Sequence, residues 1–216
     1  DVVLGDLAGV ARVDLTVSQV TGTDGTPFDD DRDGTPGGAG DDFDATVLLA
    51  DQAIASDDAS ITDRHLVVAG GTITVDGAHR VDGLDVTGGA TLTHTAFGSG
   101  GTGLDLEVRN DAHVHADGLI DVSMRGWGVS AEQPREGYAG SHGGYGSYSV
   151  AQVGPLTLEP TYGDFRRPAD PGSPGGGITP GGVGGGVVLL SAGGHLTVEG
   201  AIHADGQSGL TTTSTP

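Results

Sequence analysis

The sequence predicts an all-β fold, and a parallel β-helix (β-solenoid) is the architecture that it favours. Short apolar bursts alternate with turns rich in glycine and aspartate along the 216 residues. Glycine contributes 42 residues and proline 10, which favours short strands between turns over long helices. A degenerate repeat of about 20 residues runs through the middle of the chain, as a solenoid requires.

The N-terminal part contains one clear strand pattern. Val13, Leu15 and Val17 alternate with polar residues, as in a strand with one buried face. The apolar burst at 45–56 predicts a further strand or a short helix. We expect residues 1–60 to form an N-terminal strand, an Asp-rich loop and a cap, and the strand could instead be donated to a neighbouring subunit.

The repeat combines a turn with an alternating strand. Its four copies lie at 70–77, 88–95, 110–118 and 193–200, with the apolar residues Ile73, Leu92, Val114 and Leu196 in one column. The best internal match sets 113–122 against 195–204 and pairs Val114 with Leu196, Gly118 with Gly200, and Ile120 with Ile202. In a solenoid, equivalent residues stack on successive turns of the chain. A β-sandwich with accidental internal similarity is the alternative.

A long glycine- and proline-rich segment, residues 125–186, separates the two best-matching repeats. This segment cannot supply the strands that consecutive turns of a solenoid would need. We therefore expect an excursion that leaves the stack and returns at Val187. The predicted organisation is a β-solenoid over 61–207 that contains this excursion, followed by a linker or tail at 208–216.

Three motifs follow one another in the second half of the chain. They are GYAGSHGGYGSYS at 137–149, TYGDFRRPADPGSPGGG at 161–177 and GGVGGGVVLLSAGGHLTVEGAIHADGQ at 181–207. In this order they resemble the glycine-rich β-helical modules of large secreted bacterial surface proteins, and the resemblance covers about residues 110–207. It implies an extracellular, surface-associated β-helix, and it implies no catalytic residues.

The composition excludes several functional classes. The chain has 30 acidic and 9 basic residues and no lysine, and its net charge of −21 argues against nucleic acid and anionic membranes as partners. The absence of cysteine removes disulfides, thiolate metal sites and a cysteine nucleophile. No apolar run is long enough to insert into a membrane as a helix.

Aspartates crowd into the loop at 28–44, where a calcium site is predicted. Alternate aspartates followed by a glycine open this loop, as in many calcium-binding loops, and three further aspartates could close it. Seven carboxylates between residues 29 and 44 repel one another unless a cation binds. The predicted Ca²⁺ ligands are Asp29, Asp31, Asp33, Asp41, Asp42 and Asp44. The alternative is a solvated acidic turn.

Aromatic residues cluster in the excursion, where six of the nine lie between residues 127 and 165. Aromatic rings can stack on sugars, and arginines can bind acidic sugars. A carbohydrate site would use Trp127, Tyr138, Tyr145, Tyr148, Tyr162, Arg166 and Arg167. The alternative is that these aromatic residues pack the excursion onto the sheets.

Histidines form a third candidate group. His113 and His115 share one face of a predicted strand, and the internal match aligns His195 with His113. Stacked imidazoles can bind a transition metal, although histidines on such a face are more often simply solvated.

The predicted function is that of an extracellular structural module: a surface-layer, matrix, adhesin or filament subunit. We expect calcium to stabilise it, and we expect it to assemble with itself or with other surface proteins. A carbohydrate-binding module that uses the aromatic excursion is the alternative, with polysaccharide as its partner. A polysaccharide-degrading enzyme is less favoured, because the chain is short for one and lacks lysine.

Overall fold

The computed structural model describes residues 9–18, 21, 25–26, 43–128, 162–164, 166–175 and 182–208. These parts of the chain are nearly all β, which confirms the predicted class. Two short 3-10 helices lie among them, at Ala59–Ile61 and Phe97–Ser99. The strands are β1 (Arg12–Val17), β2 (Phe43–Leu48), β3 (Gln52–Ile54), β4 (His65–Val68), β5 (Thr72–Val75), β6 (Gly77–Val81), β7 (Gly83–Val86), β8 (Thr91–Thr93), β9 (Leu104–Val108), β10 (Ala112–Val114), β11 (Leu119–Asp121), β12 (Val188–Ala192), β13 (Leu196–Val198) and β14 (Ala201–His203).

The strands form three sheets in which nearly all neighbours are parallel. The first sheet has the order β1-β2-β4-β7-β10-β13, the second β14-β11-β8-β5-β3, and the third β12-β9-β6. Consecutive strands β4, β5 and β6 therefore belong to the first, second and third sheet in turn. The same order recurs for β7 to β9 and for β10 to β12, so each of these three passages adds one strand to every sheet. The pairs β2–β3 and β13–β14 add strands to the first two sheets only.

Strand β1 is the exception, because it pairs antiparallel with β2 at the edge of the first sheet. Arg64, directly before β4, ties these strands together. Its guanidinium donates hydrogen bonds to the carbonyl oxygens of Leu15 and Ala45 and to the hydroxyl of Thr46. The predicted N-terminal strand is thus present, and it pairs with β2 of its own chain.

Aliphatic side chains from all three sheets form one buried core. In the first sheet one register position is held on successive strands by Leu48, Val68, Val86 and Val114, all fully buried. The second sheet repeats this arrangement with Ile73, Leu92 and Ile120. Full burial of such a side chain contributes about 1.5–3 kcal/mol. These aliphatic columns are therefore the main stabilising feature of the stack.

The predicted match between the two best repeats is confirmed for one strand pair and wrong for the other. Ile120 lies opposite Ile202, as the alignment predicts. Val114, however, lies opposite Val198, two residues beyond the predicted partner Leu196. The reason is the length of the corner, because four residues separate β10 from β11 and two separate β13 from β14.

The predicted apolar column also crosses from one sheet to another. Ile73 and Leu92 are neighbours in the second sheet, as expected. Val114 belongs to the first sheet, and Ile120 is the next neighbour of Leu92. Both kinds of strand alternate in the same way, so the pattern alone cannot separate them. The loop 94–103 between β8 and β9 adds to the difficulty because it makes the spacing irregular.

Glycine allows the described parts of the excursion to pack backbone against backbone. The N–H of Gly126 donates to the carbonyl oxygen of Gly184 at 2.8 Å, and that of Trp127 donates to Gly172 at 3.0 Å. A Cβ atom on Gly126 would collide with the carbonyl oxygens of Gly172 and Gly185. The chain leaves the sheets after β11 and re-enters them in β12.

The last strands of the first and second sheets carry exposed apolar side chains. Leu196, Val198 and Ile202 are 48%, 45% and 39% exposed, whereas the residues opposite them on β10 and β11 are buried. Within the described ranges, no strand pairs with the outer edges of β12, β13 and β14. This end of the stack is therefore an apolar edge.

Candidate functional site

Three histidines and an aspartate gather on the outer face of the first sheet, and we call them the histidine cluster: His65, Asp85, His113 and His115. The register places His113 directly opposite Asp85, on the parallel strands β10 and β7. His115 comes directly after β10, two residues from His113, and its ring lies beside that of His113. His65 lies opposite Gly83, two residues before Asp85.

Gly83 makes the contact between His65 and Asp85 possible. The imidazole of His65 lies over this glycine, where a Cβ atom would collide with the ring. Without that obstacle, Nε2 of His65 reaches Oδ2 of Asp85 at 2.7 Å. An ionised carboxylate only accepts hydrogen bonds, so this ring nitrogen is the donor.

Asp85 is held by two imidazoles. Its other oxygen, Oδ1, lies 2.6 Å from Nε2 of His115. The hydrogen bond from His65, followed by that from His115, lowers the pKa of Asp85 to about 2, against the opposing effect of its partial burial. Asp85 is therefore a carboxylate at neutral pH.

His113 and His115 stack on each other. Their ring centroids are 3.6 Å apart and their planes differ by 25°. Nε2 of His113 also lies 3.1 Å from Oε2 of Glu199, in the corner between β13 and β14. The pairing of β4, β7, β10 and β13 thus unites residues from distant parts of the sequence.

The histidine cluster contains a set of potential metal ligands. One ligand atom from each of Asp85, His113 and His115 lies within 4.8 Å of the others. Imidazole nitrogen and carboxylate oxygen are ligands of zinc and of several other divalent transition metals. His65 would then be an outer partner that orients the carboxylate.

The predicted grouping of histidines is only partly right. His113 and His115 do lie side by side, with His113 in β10 and His115 directly after it. His195 does not join them, because the register differs from the predicted one by two residues. Its backbone N–H instead donates to Oδ1 of Asp111 at 2.7 Å. Asp85 is not among the predicted site residues. Its position in β7 is nevertheless equivalent to that of His113 in β10, because each follows a buried apolar residue.

The predicted calcium ligands lie mostly outside the part of the chain that the structure describes. This holds for Asp29, Asp31, Asp33, Asp41 and Asp42. Asp44 is described and lies in β2. Its Oδ1 accepts a hydrogen bond from the hydroxyl of Thr16 and lies 3.7 Å from Nη1 of Arg64. The charge of Asp44 is thus already compensated by a cation of the protein.

Among the predicted carbohydrate ligands, Trp127 packs against the second 3-10 helix. Its ring contacts that of Phe97, with centroids 5.5 Å apart. Phe97 in turn packs edge-on against the buried His94, also at 5.5 Å. This agrees with the packing alternative, although 37% of Trp127 is still exposed.

The remaining carbohydrate candidates divide into two groups. Tyr138, Tyr145 and Tyr148 lie outside the described residues. The hydroxyl of Tyr162 donates to the carbonyl oxygen of Pro171 at 2.9 Å, and burial raises the pKa of Tyr162. Arg166 and Arg167 are exposed in the turn that follows.

In the described ranges, no helix has the length and apolar character needed to cross a membrane. Comparison of the chain with protein-family models finds no match, and comparisons with curated proteins and with solved structures find none either.

Proposed function

We propose that the chain is an extracellular structural module, built as a β-solenoid and belonging to a surface layer, matrix, adhesin or filament. The observation that carries this proposal is the order in which the strands visit the three sheets. Three successive passages of the chain, β4–β6, β7–β9 and β10–β12, each add one strand to each sheet, in register with the strand before it. Repetition of one unit over a continuous aliphatic core is the principle of a solenoid.

The direction of the strands supports a solenoid over a β-sandwich. Ten of the eleven strand pairs are parallel. A sandwich built as a meander pairs its neighbours antiparallel, because short turns join them. Here the two other sheets provide the crossover that each parallel pair needs.

The extracellular location rests on the sequence resemblance of residues 110–207 to secreted surface modules. A scaffold role fits a fold whose buried core is aliphatic. Protease treatment of intact source cells, followed by detection of the chain with an antibody, tests the location. Loss of the signal on intact cells is expected, and full protection would contradict it.

Self-association is supported by the apolar edge formed by β12, β13 and β14. Edge strands carry unpaired backbone groups that another β edge can satisfy. We take a second copy of the chain as the occupant, because it offers edges of the same kind at the same spacing. Such a pair would be the unit from which larger surface assemblies are built.

Sedimentation velocity over a range of protein concentrations tests this association. We expect a dimer at high concentration and its loss in Val198→Lys, which introduces a charge into the apolar edge. Thr197→Lys on the opposite face of β13 is the matched control and should remain dimeric. A monomer at every concentration, or equal behaviour of both variants, would argue against self-association.

We also propose that Ca²⁺ binds the aspartate-rich loop at 28–44. The support is the density of carboxylates there, which a cation would relieve. Binding to the folded chain alone should raise its melting temperature. Thermal melts with calcium and with a chelator provide the test, and identical melting temperatures would contradict the proposal.

Carbohydrate binding remains the second candidate, and the exposed part of Trp127 favours it. A tryptophan fixed on Phe97 and still 37% exposed offers a rigid aromatic surface for a sugar ring. Screening of the chain on a glycan array, with Trp127→Ala as the control, tests this second function.

A further inference from the structure

We propose that Asp85, His113 and His115 bind a zinc ion on the outer face of the first sheet. One ligand atom of each residue lies within 4.8 Å of the other two. In a tetrahedral zinc site, bonds of about 2.0–2.2 Å place neighbouring ligand atoms about 3.3 Å apart. The three side chains thus need shifts of only about 1–2 Å, which rotation about their side-chain bonds provides.

Strand register sets two of the three ligands, and the third, His115, is the residue directly after β10. Asp85 and His113 are opposite each other on paired strands, and His115 follows on the same face. Ligands on regular strands are held more precisely than ligands on loops. The fold therefore brings the three groups together before any ion arrives.

The hydrogen bonds of the two histidines suit metal binding. His113 faces Glu199 through Nε2, and in a neutral ring this leaves the lone pair on Nδ1. His115 faces Asp85 through Nε2 at 2.6 Å. Zinc would enter between these two atoms, and the proton there would move to Nδ1 of His115 or to solvent. The separation of the two atoms would open to about 3.3 Å.

Outer partners complete the arrangement. His65 contacts Oδ2 of Asp85, so that the carboxylate stays oriented when Oδ1 binds the metal. A dication with one carboxylate carries a net positive charge, which the acidic chain, at −21, favours. Nitrogen ligands exclude Ca²⁺ as the preferred ion, because calcium takes oxygen ligands.

Isothermal titration calorimetry of the untagged full chain with Zn²⁺ tests the proposal. Excess Ca²⁺ is kept present, so that the aspartate-rich loop does not contribute to the signal. We expect one zinc ion per chain, with affinity reduced more than about tenfold in His113→Ala and in His115→Ala. His195→Ala is the matched control, since this exposed histidine precedes β13 and should leave the affinity unchanged.

Cobalt binding provides a second, spectroscopic measurement that does not depend on the heat of binding. Co²⁺ in the wild-type site should give the visible absorption of a tetrahedral complex, and the His113→Ala and His115→Ala variants should lose it. His65→Ala should weaken zinc about tenfold while retaining the cobalt spectrum, because it removes an orienting contact and no ligand.

Far-UV circular dichroism verifies that all variants are folded, as expected for substitutions on an outer face. No zinc binding by the wild type would overturn the proposal. So would stoichiometric binding of equal affinity in His113→Ala, His115→Ala and His195→Ala, since the ion would then lie elsewhere.

Discussion

Nε2 of the buried His94 accepts a hydrogen bond from the backbone N–H of Val187, 93 residues later in the chain, at 3.1 Å. Nδ1–H of the same ring donates to the carbonyl oxygen of Thr95 at 2.7 Å. Gly186 permits this approach, because a Cβ atom there would collide with the imidazole. One neutral histidine thus fixes the point at which the chain returns from the excursion to the sheets.

Removal of this histidine should destabilise the fold. His94→Ala leaves the N–H of Val187 without its acceptor and creates a cavity, so we expect a loss of about 2–4 kcal/mol in the free energy of unfolding. His94→Gln, which keeps an acceptor and a donor, should lose less. Denaturant unfolding of the three proteins measures the difference, and equal stability of His94→Ala and wild type would refute this role.

The free energy of unfolding should decrease as the pH is lowered through the range where His94 titrates. Burial lowers the pKa of His94 below its ordinary value of 6.5, against the opposing effects of the hydrogen bond to Thr95 and the charge of Asp76. Below pH 6.5 the unfolded chain therefore takes up this proton before the folded chain does, and the free energy of unfolding decreases.

The measurement is the free energy of unfolding from pH 8 to pH 5, compared between wild type and His94→Gln. The wild type should lose more stability over this interval, because only it carries the imidazole of His94. Parallel curves for the two proteins would show that another group causes the decrease.

The local alternation of apolar and polar residues predicts the strands, but it does not predict how they pair. Val13 and Leu15 alternate with polar residues, and β1 forms there with both side chains half-buried. Ile73 was correctly placed beside Leu92, since both follow a Gly-Gly turn. The partner of Val114 was missed because corner length, unlike alternation, leaves no periodic signal.

The same reason explains what was missed in the site. His113 and His115 share a face by their spacing of two, which the sequence states directly. Asp85 reaches them only through the pairing of β7 with β10. An irregular loop at 94–103 separates these strands, so their register depends on core packing that no local pattern reveals.

Close backbone packing of the excursion can be tested with two glycines of the same segment. Gly126→Ala places a methyl group against the carbonyl oxygens of Gly172 and Gly185, and we expect a loss of about 1–3 kcal/mol. Gly128→Ala is the control, because its added Cβ meets nothing within 4 Å. Its effect should stay within about 0.5 kcal/mol. Equal effects in thermal or denaturant unfolding would rule out the described packing.

Trp127→Ala separates the two interpretations of the aromatic excursion. The contact with Phe97 predicts a loss of stability, on the order of 1–3 kcal/mol for a partly exposed aromatic residue. If the residue serves carbohydrate binding instead, the melting temperature will hardly change and glycan binding will disappear. Thermal melts and a glycan array on the same preparation decide between these outcomes.

The chain stacks parallel strands from before and after the excursion, so that Glu107 in β9 lies beside Ser191 in β12. Both side chains are exposed, and the chain has no cysteine of its own. Glu107→Cys combined with Ser191→Cys should form an intramolecular disulfide under mild oxidation, because neighbouring strands lie about 4.8 Å apart.

The control pair is Arg80→Cys with Ser191→Cys. Arg80 lies in β6, on the far side of Glu107, which places it two strands and about 9.6 Å from Ser191. That separation is too large for a disulfide. Non-reducing mass spectrometry should find the crosslink in the first pair and not in the second. Crosslinking of neither pair, or of both equally, would contradict the stacked fold.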